Sequence, residues 1–196
     1  MIKCHLLDGE FKEQHFNDLR GISETVNENR KILYNLKTDL IIELLNALRR
    51  KIIQDKAINT IPGVSYLSLW LSKDNLKRIC RLNYLDQSYF ENFKETENNF
   101  ELCAQPLGIV CHWVASNVPT LAFFSLVQSI LSKNASVVKV PEENVPLTMS
   151  ILKSLNETEA SFEGETYKGA DIVKSVSIIS FEGNDHEMSK NFSLIA

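Results

Sequence analysis

Paired cysteines are missing from this sequence. Its four cysteines, Cys4, Cys80, Cys103 and Cys111, form no CxxC motif and show no zinc-type spacing with histidine. That excludes the common thiol–disulfide and zinc motifs, so the cysteines read as reduced and mostly structural, and no metal is expected. Cys111 and His112 are adjacent, and neighbours along a strand point to opposite faces, so they would not share a metal. Surplus positive charge is also lacking. The 21 Lys and Arg stand against 25 Asp and Glu, a net charge of −4, which excludes general nucleic-acid affinity. The one basic knot, Arg49-Arg50-Lys51, follows an apolar run and reads as the charged end of a helix. No apolar run approaches the roughly 20 residues that cross a bilayer, so no membrane span is expected. Met1-Ile2-Lys3-Cys4-His5 begins no secretory signal, and the cytoplasm is the expected location. There is no GxGxxG, so the ordinary dinucleotide fingerprint is absent.

What is present suits a folded protein. With 44% hydrophobic and 23% charged residues, the 196-residue chain can form one compact domain, or a small domain with an added segment. Its character changes near residue 100. Before that point Ile32-Leu33, Leu36, Leu40-Ile41, Leu44-Leu45 and Leu48 recur at steps of three and four, one helical face. Pro62-Gly63 interrupts the pattern. Tyr66 to Leu71 is a short apolar stretch, and Ser72 is placed to cap a helix through Leu76, Ile79 and Leu82. Asp86-Gln87-Ser88 reads as a turn into a short helix near Tyr89 to Phe93, and the polar run from Lys94 to Asn99 as a linker.

After the linker, short apolar runs alternate with helix-length segments. Ile109 to Val114, Ser136 to Val140 and Val176 to Phe181 read as strands. Helices are expected at Thr120 to Ser132, at Val145 to Leu155, and from Met188 through Phe192 and Ile195. Asn134 is expected to end the first of these in the left-handed conformation, and Asn184 with Glu187 has the spacing of a capping box. Residues 156 to 174 read as a polar loop. This alternation predicts an α/β fold, with a mainly helical segment over residues 1–100 and a parallel-sheet domain over residues 101–196. The runs are apolar nearly throughout, as in strands covered on both faces.

Open parallel sheets take ligands outside the carboxyl ends of their strands. Ser116-Asn117, then Lys139 and Glu142, then Gly183-Asn184 fall at those three ends. A lysine there can meet a ribose hydroxyl or a phosphate, a carboxylate can hold a ribose diol, and a helix amino end can receive a phosphate. Each residue also has a plainer reading: Asn117 as a turn residue, Lys139 as a solvated cation, Glu142 as a helix-start acid, Gly183 as a turn glycine.

Taken in order, these stretches resemble a known family. Pro106-Leu107-Gly108-Ile109-Val110-Cys111-His112-Trp113-Val114-Ala115-Ser116-Asn117-Val118-Pro119 resembles the start of the cofactor domain of aldehyde dehydrogenases. Lys133-Asn134-Ala135-Ser136-Val137-Val138-Lys139-Val140-Pro141-Glu142 resembles the next landmark, and Phe181-Glu182-Gly183-Asn184 a third. His112, the Ala-Ser-Asn-Val-Pro turn and Trp70-Leu71-Ser72-Lys73-Asp74-Asn75-Leu76 point to the long-chain acyl-CoA reductases, which include the fatty-acid reductase of bacterial bioluminescence. The likeness is good over residues 101–140, fair over 64–93 and 176–196, and absent before residue 30.

The resemblance implies an NADP-dependent oxidoreductase that reduces fatty acyl-CoA to fatty aldehyde through a cysteine thioester, with NADPH, or else NADH, as hydride donor. It implies that Asn117 donates to the oxyanion, that Lys139 and Glu142 hold the adenosine ribose, and that Gly183 and Asn184 lie beside the pyrophosphate. It also implies a homo-oligomer or partner subunits of a fatty-acid reductase complex. Asn184 stands where the family has serine, Val140 where it has proline, and Glu182 and Asp185 add negative charge nearby. No cysteine falls at the nucleophile's place downstream of the cofactor region. The sequence stops inside an amphipathic pattern, and three parallel strands alone would leave an apolar edge open. The expectation is therefore the N-terminal part of a reductase, a fragment inactive alone. A truncated, non-catalytic nucleotide-binding or protein-interaction module remains the other reading.

Overall fold

The computed structural model describes residues 1–84, 87–96 and 98–195. Asp86 of the expected turn and Glu97 of the expected linker lie outside the described residues. The chain opens with two strands, β1 (Ile2–Leu6) and β2 (Gln14–Phe16), where the sequence reading has a helical segment. Helices follow: α1 (Arg20–Asn35), α2 (Thr38–Gln54), α3 (Lys56–Asn59), α4 (Val64–Trp70) and α5 (Lys73–Tyr84). The apolar run predicted as one helical face is split at Leu36, whose extended backbone separates α1 from α2. Gly63 has φ of +88°, in the left-handed region, and starts α4 where Pro62-Gly63 is expected to interrupt. The expected short helix is a 3-10 turn at Gln87–Phe90, and the linker carries a small hairpin of β3 (Lys94–Glu95) and β4 (Glu101–Leu102).

The second half alternates: β5 (Ile109–Trp113), α6 (Leu121–Leu131), β6 (Ala135–Lys139), α7 (Val145–Asn156), β7 (Glu159–Phe162), β8 (Glu165–Lys168), α8 (Gly169–Val173), β9 (Val176–Ser180) and α9 (His186–Ser193). The polar loop predicted over 156–174 is therefore the β7–β8 hairpin and α8. Two expected caps also differ. Lys133, not Asn134, takes the left-handed backbone at φ of 59°. Asp185, not Asn184, caps α9 by accepting the Met188 N–H at 2.9 Å.

The main sheet has the order β2-β1-β9-β6-β5. β5, β6 and β9 are parallel, as predicted, while β1 runs antiparallel to β9 and so covers the edge that three parallel strands would leave open. β9 is buried along its whole length and β6 over all but Lys139, which explains why their runs are mostly apolar, broken only by small serines. Residues of α1 and α9 pack on one face with Ile2, Cys4, Val137 and Ile179. On the other face α2, α6, α7 and α8 enclose the larger core. α2 lies in its middle, with Leu40, Ile41, Ile42, Leu44, Leu45, Leu48 and Ile52 at most 1% exposed. Each such side chain contributes roughly 1.5–3 kcal/mol relative to exposure, and together they tie the helical half to the sheet.

Candidate functional site

Parallel pairing brings the carboxyl ends of three strands to one edge, with Trp113 opposite Lys139 and Lys139 opposite Ile179. The turn after β5 exposes Asn117. It is tied to the 3-10 turn Glu142–Asn144 after β6 because buried Asn144 donates its amide to the Ser116 carbonyl at 3.2 Å. An aromatic group joins the end of β5 to the segment after β9 and to α9. Trp113 meets Phe181 at 5.8 Å and Phe192 at 5.1 Å, both edge-on, and remains 49% exposed. A half-open tryptophan on a packed aromatic base offers a flat apolar surface. The Lys139 ammonium lies 5.6 Å from the centre of the Phe181 ring, a cation–π contact that steadies it at the rim.

Glu142 is exposed and accepts from Lys3 at 2.5 Å. Lys139 shares its strand face with Val137 in the α9-side core, whereas Lys3 lies on the opposite face from Ile2 and Cys4. The structure thus brings Lys139 and Glu142 to the same edge but gives each a different partner. Gly183 and Asn184 are exposed at the third strand end. Gly183 has no left-handed φ, and a Cβ added to it would meet nothing within 4 Å, so neither backbone strain nor crowding explains a glycine there. Asp185 already occupies the Met188 N–H of α9, and Glu187 sits in its first turn. This chemistry suits a ribose and an aromatic ring better than a phosphate at the α9 end, and within that limit the residues fit a nicotinamide nucleotide.

The cysteines are placed for packing. Cys4 and Cys80 are fully buried, and burial raises both thiols, Cys80 to about 11. Cys111, inside β5, is likewise raised by burial to about 11, which leaves little thiolate near neutral pH.

His112 serves the fold. It is 5% exposed, with Nδ1 2.6 Å from Ser125 Oγ and Nε2 3.1 Å from Ser136 Oγ, while Ser136 also meets Ser129 at 2.8 Å. This polar knot joins α6, β5 and β6, and burial lowers the imidazole pKa to about 4. The folded protein thus binds the proton less well than the unfolded chain. Stability from this group is complete above the ordinary histidine pKa and is lost as pH falls toward the folded value. From pH 7 to pH 4 the loss should be about 3 kcal/mol. In urea titrations His112→Gln should flatten the acid side of the stability profile relative to wild type. Parallel profiles would assign the acid lability elsewhere.

Sequence reading alone misses three contributors to this edge: Lys3, Asn144 and the joint surface of Trp113, Phe181 and Phe192. Trp113 lies within the resembling stretch, but its exposure follows from β5 being the last strand of the sheet. Lys3 and Asn144 carry no local signal of where they end up.

An α/β protein with polar and aromatic side chains gathered at the carboxyl edge of its parallel strands has the layout of an enzyme that takes its ligand above the sheet. The model of a family of acyl-CoA reductases, described as "Acyl-CoA reductase (LuxC)", matches residues 17–196, and the chain belongs to that family. Its function is accordingly of the acyl-CoA reductase type. No curated protein matches the chain.

Proposed function

We propose that this chain forms the nicotinamide-nucleotide part of a reductase that converts fatty acyl-CoA to fatty aldehyde. The observation that carries the proposal is the edge itself: Asn117, Lys139, Glu142 and Gly183 of one sheet end, in a member of the acyl-CoA reductase family. NADPH, or else NADH, would supply the hydride. Lys139 and Glu142 would bind the adenosine ribose, Trp113 would offer its exposed ring to the nucleotide, and the pyrophosphate would pass through the open space at Gly183 and Asn184, held away from the α9 amino end that Asp185 and Glu187 occupy. Asn117 would donate its side-chain amide to the oxygen on which negative charge develops as the acyl carbon is attacked. A donor placed there is worth about 2.7–4 kcal/mol of barrier, a factor of 10²–10³ in rate.

Covalent chemistry balances if a cysteine thiol attacks as its thiolate and the proton it gives up leaves with CoA as the free thiol, giving an acyl thioester. Hydride and a proton then release aldehyde and restore the cysteine. Cys4, Cys80 and Cys111 are packing residues with raised pKa values, and Cys103 accepts from the Gln105 amide and donates to the Ala104 carbonyl. We therefore assign the nucleophile to residues outside these 196. Activity in the cytoplasm, as a homo-oligomer or with partner subunits, belongs to the same proposal. Among the described residues no helix is long and apolar enough to cross a membrane.

Calorimetric titration of the chain with NADPH provides the test. Lys139→Ala should weaken binding about tenfold, the scale of one charged hydrogen bond, with the unfolding temperature unchanged. Absence of nucleotide binding by the wild type would remove the cofactor assignment. Aldehyde formation by this chain alone would overturn the placement of the nucleophile. A second reading, a non-catalytic interaction module, is favoured by exposed apolar side chains around the β3–β4 hairpin. Leu82, Phe93, Phe100 and Leu107 are each at least 67% exposed. That reading predicts binding of a protein partner with no nucleotide affinity.

A further inference from the structure

The partner of Glu142 comes from the opposite end of the chain. Lys3 Nζ lies 2.5 Å from Glu142 Oε1 across a separation of 139 residues. The contact exists because β1 runs antiparallel to β9, with Lys3 opposite Ser180, so the start of β1 reaches the carboxyl edge of the parallel strands. Ile2 and Cys4 enter the α9-side core, and strand alternation sends Lys3 to the other face, above the turn that carries Glu142. Glu13 and Glu182 also act electrostatically on Lys3, so this ammonium answers three carboxylates. β1 lies before the residues that the family model matches, 17–196.

An unpaired Glu142 would favour a ribose diol, which donates two hydroxyls to it, and would repel a ribose carrying a 2′-phosphate. Pairing with Lys3 changes both preferences. The two side chains are 39% and 64% exposed, and so exposed a pair holds together only weakly. A phosphate can therefore take the ammonium from the carboxylate, forming the stronger charge-assisted contact.

We infer that Lys3 sets the coenzyme preference of this edge. Paired, it withholds Glu142 from the diol; when a 2′-phosphate arrives, its Nζ passes to that phosphate. The inference rests on the nicotinamide site proposed above and names the residue that chooses between its two coenzymes. Lys3 is a specificity-determining residue, and it takes no part in the chemical step.

Titration of the whole chain with NADPH and with NADH tests this, using Lys3→Gln and Lys3→Met so that a packing defect in one variant does not decide the outcome. Wild type should prefer NADPH. Both variants should lose about tenfold or more in NADPH affinity, the scale of one charged contact, and hold or improve NADH affinity. Lys3→Arg should keep the wild-type ratio. An unchanged ratio in both neutral variants, or a wild-type preference for NADH, would overturn the inference and leave the nucleotide site standing. Failure of the wild type to bind either coenzyme would remove that site, and the inference with it.

Discussion

Glu91→Ala should destabilise the protein by about 3–5 kcal/mol, the cost of stripping the partner from a buried charge. Lys133 is 2% exposed, and its ammonium lies 3.0 Å from Glu91 Oε1, with the carbonyls of Tyr34 and Phe90 each at 3.4 Å. The same Glu91 oxygen accepts the backbone N–H and the hydroxyl of Thr38, each at 2.8 Å. Thr38 is the first residue of α2, so one carboxylate both neutralises a buried lysine and satisfies the start of the central helix. Alanine would undo both. The measurement is the denaturant midpoint of the variant against wild type. Adding Lys133→Met should recover part of the loss, because no buried charge then lacks a partner. A loss below 1 kcal/mol would mean that Lys133 finds water or another anion.

Glu91 also has a pH signature. Burial disfavours its ionised form, but hydrogen bonds from Thr38 and Lys133 outweigh that and hold its carboxyl below the usual range. Its stabilisation is therefore complete above the ordinary carboxylate pKa and fades as pH falls through the depressed folded value. This loss begins on the acid side of the point where the His112 contribution starts to fade, so the first stability lost on acidification belongs to His112.

Gly169→Ala should be as severe, at about 4 kcal/mol or more, in the range reserved for changes that the fold cannot absorb. Gly169 opens α8, and its N–H donates to the Thr158 carbonyl at 2.9 Å. A Cβ there would lie 1.9 Å from the Leu155 carbonyl oxygen and 2.3 Å from Thr158 Oγ1. The first of these is backbone at the end of α7, so no rotamer change relieves it. That oxygen is also engaged by the Thr158 N–H at 2.9 Å and hydroxyl at 2.7 Å, which keep it in place. Soluble expression and the thermal midpoint measure the effect, and a near-wild-type midpoint would show that α8 can slide away from α7. Gly183, with open space around its added Cβ and no left-handed φ, is the contrasting case.

Local pattern carried much of this structure. Mostly apolar runs at residues 109–114, 136–140 and 176–181 announced three parallel strands, of which β6 and β9 are buried in the middle of the sheet and β5 is half-buried at its edge. Apolar steps of three and four residues announced α2, and helix-length segments between the apolar runs announced α6 and α7. The pattern failed where signals were short. In β1, Ile2, Cys4 and Leu6 alternate with Lys3 and His5, but five residues at a chain start are too few to distinguish a strand from a frayed segment. β7 and β8 are four residues each, and both carry polar side chains. Asp185 took the cap expected of Asn184 because its carboxylate reaches the Met188 N–H.

The sequence by itself determined the α/β class, the three parallel strands and the membership of Asn117, Lys139, Glu142 and Gly183 in one edge, since each follows from periodicity and from the direction of strands joined by helices. Tertiary structure decided which side chains meet at that edge. Lys3 pairs with Glu142 and Lys133 with Glu91 across long stretches of chain, and the first half of the chain enters the same sheet through β1. Contacts of this kind depend on how strands are ordered and which faces they turn to one another. No local run of residues encodes that order; it is set when the apolar faces of distant elements are buried together.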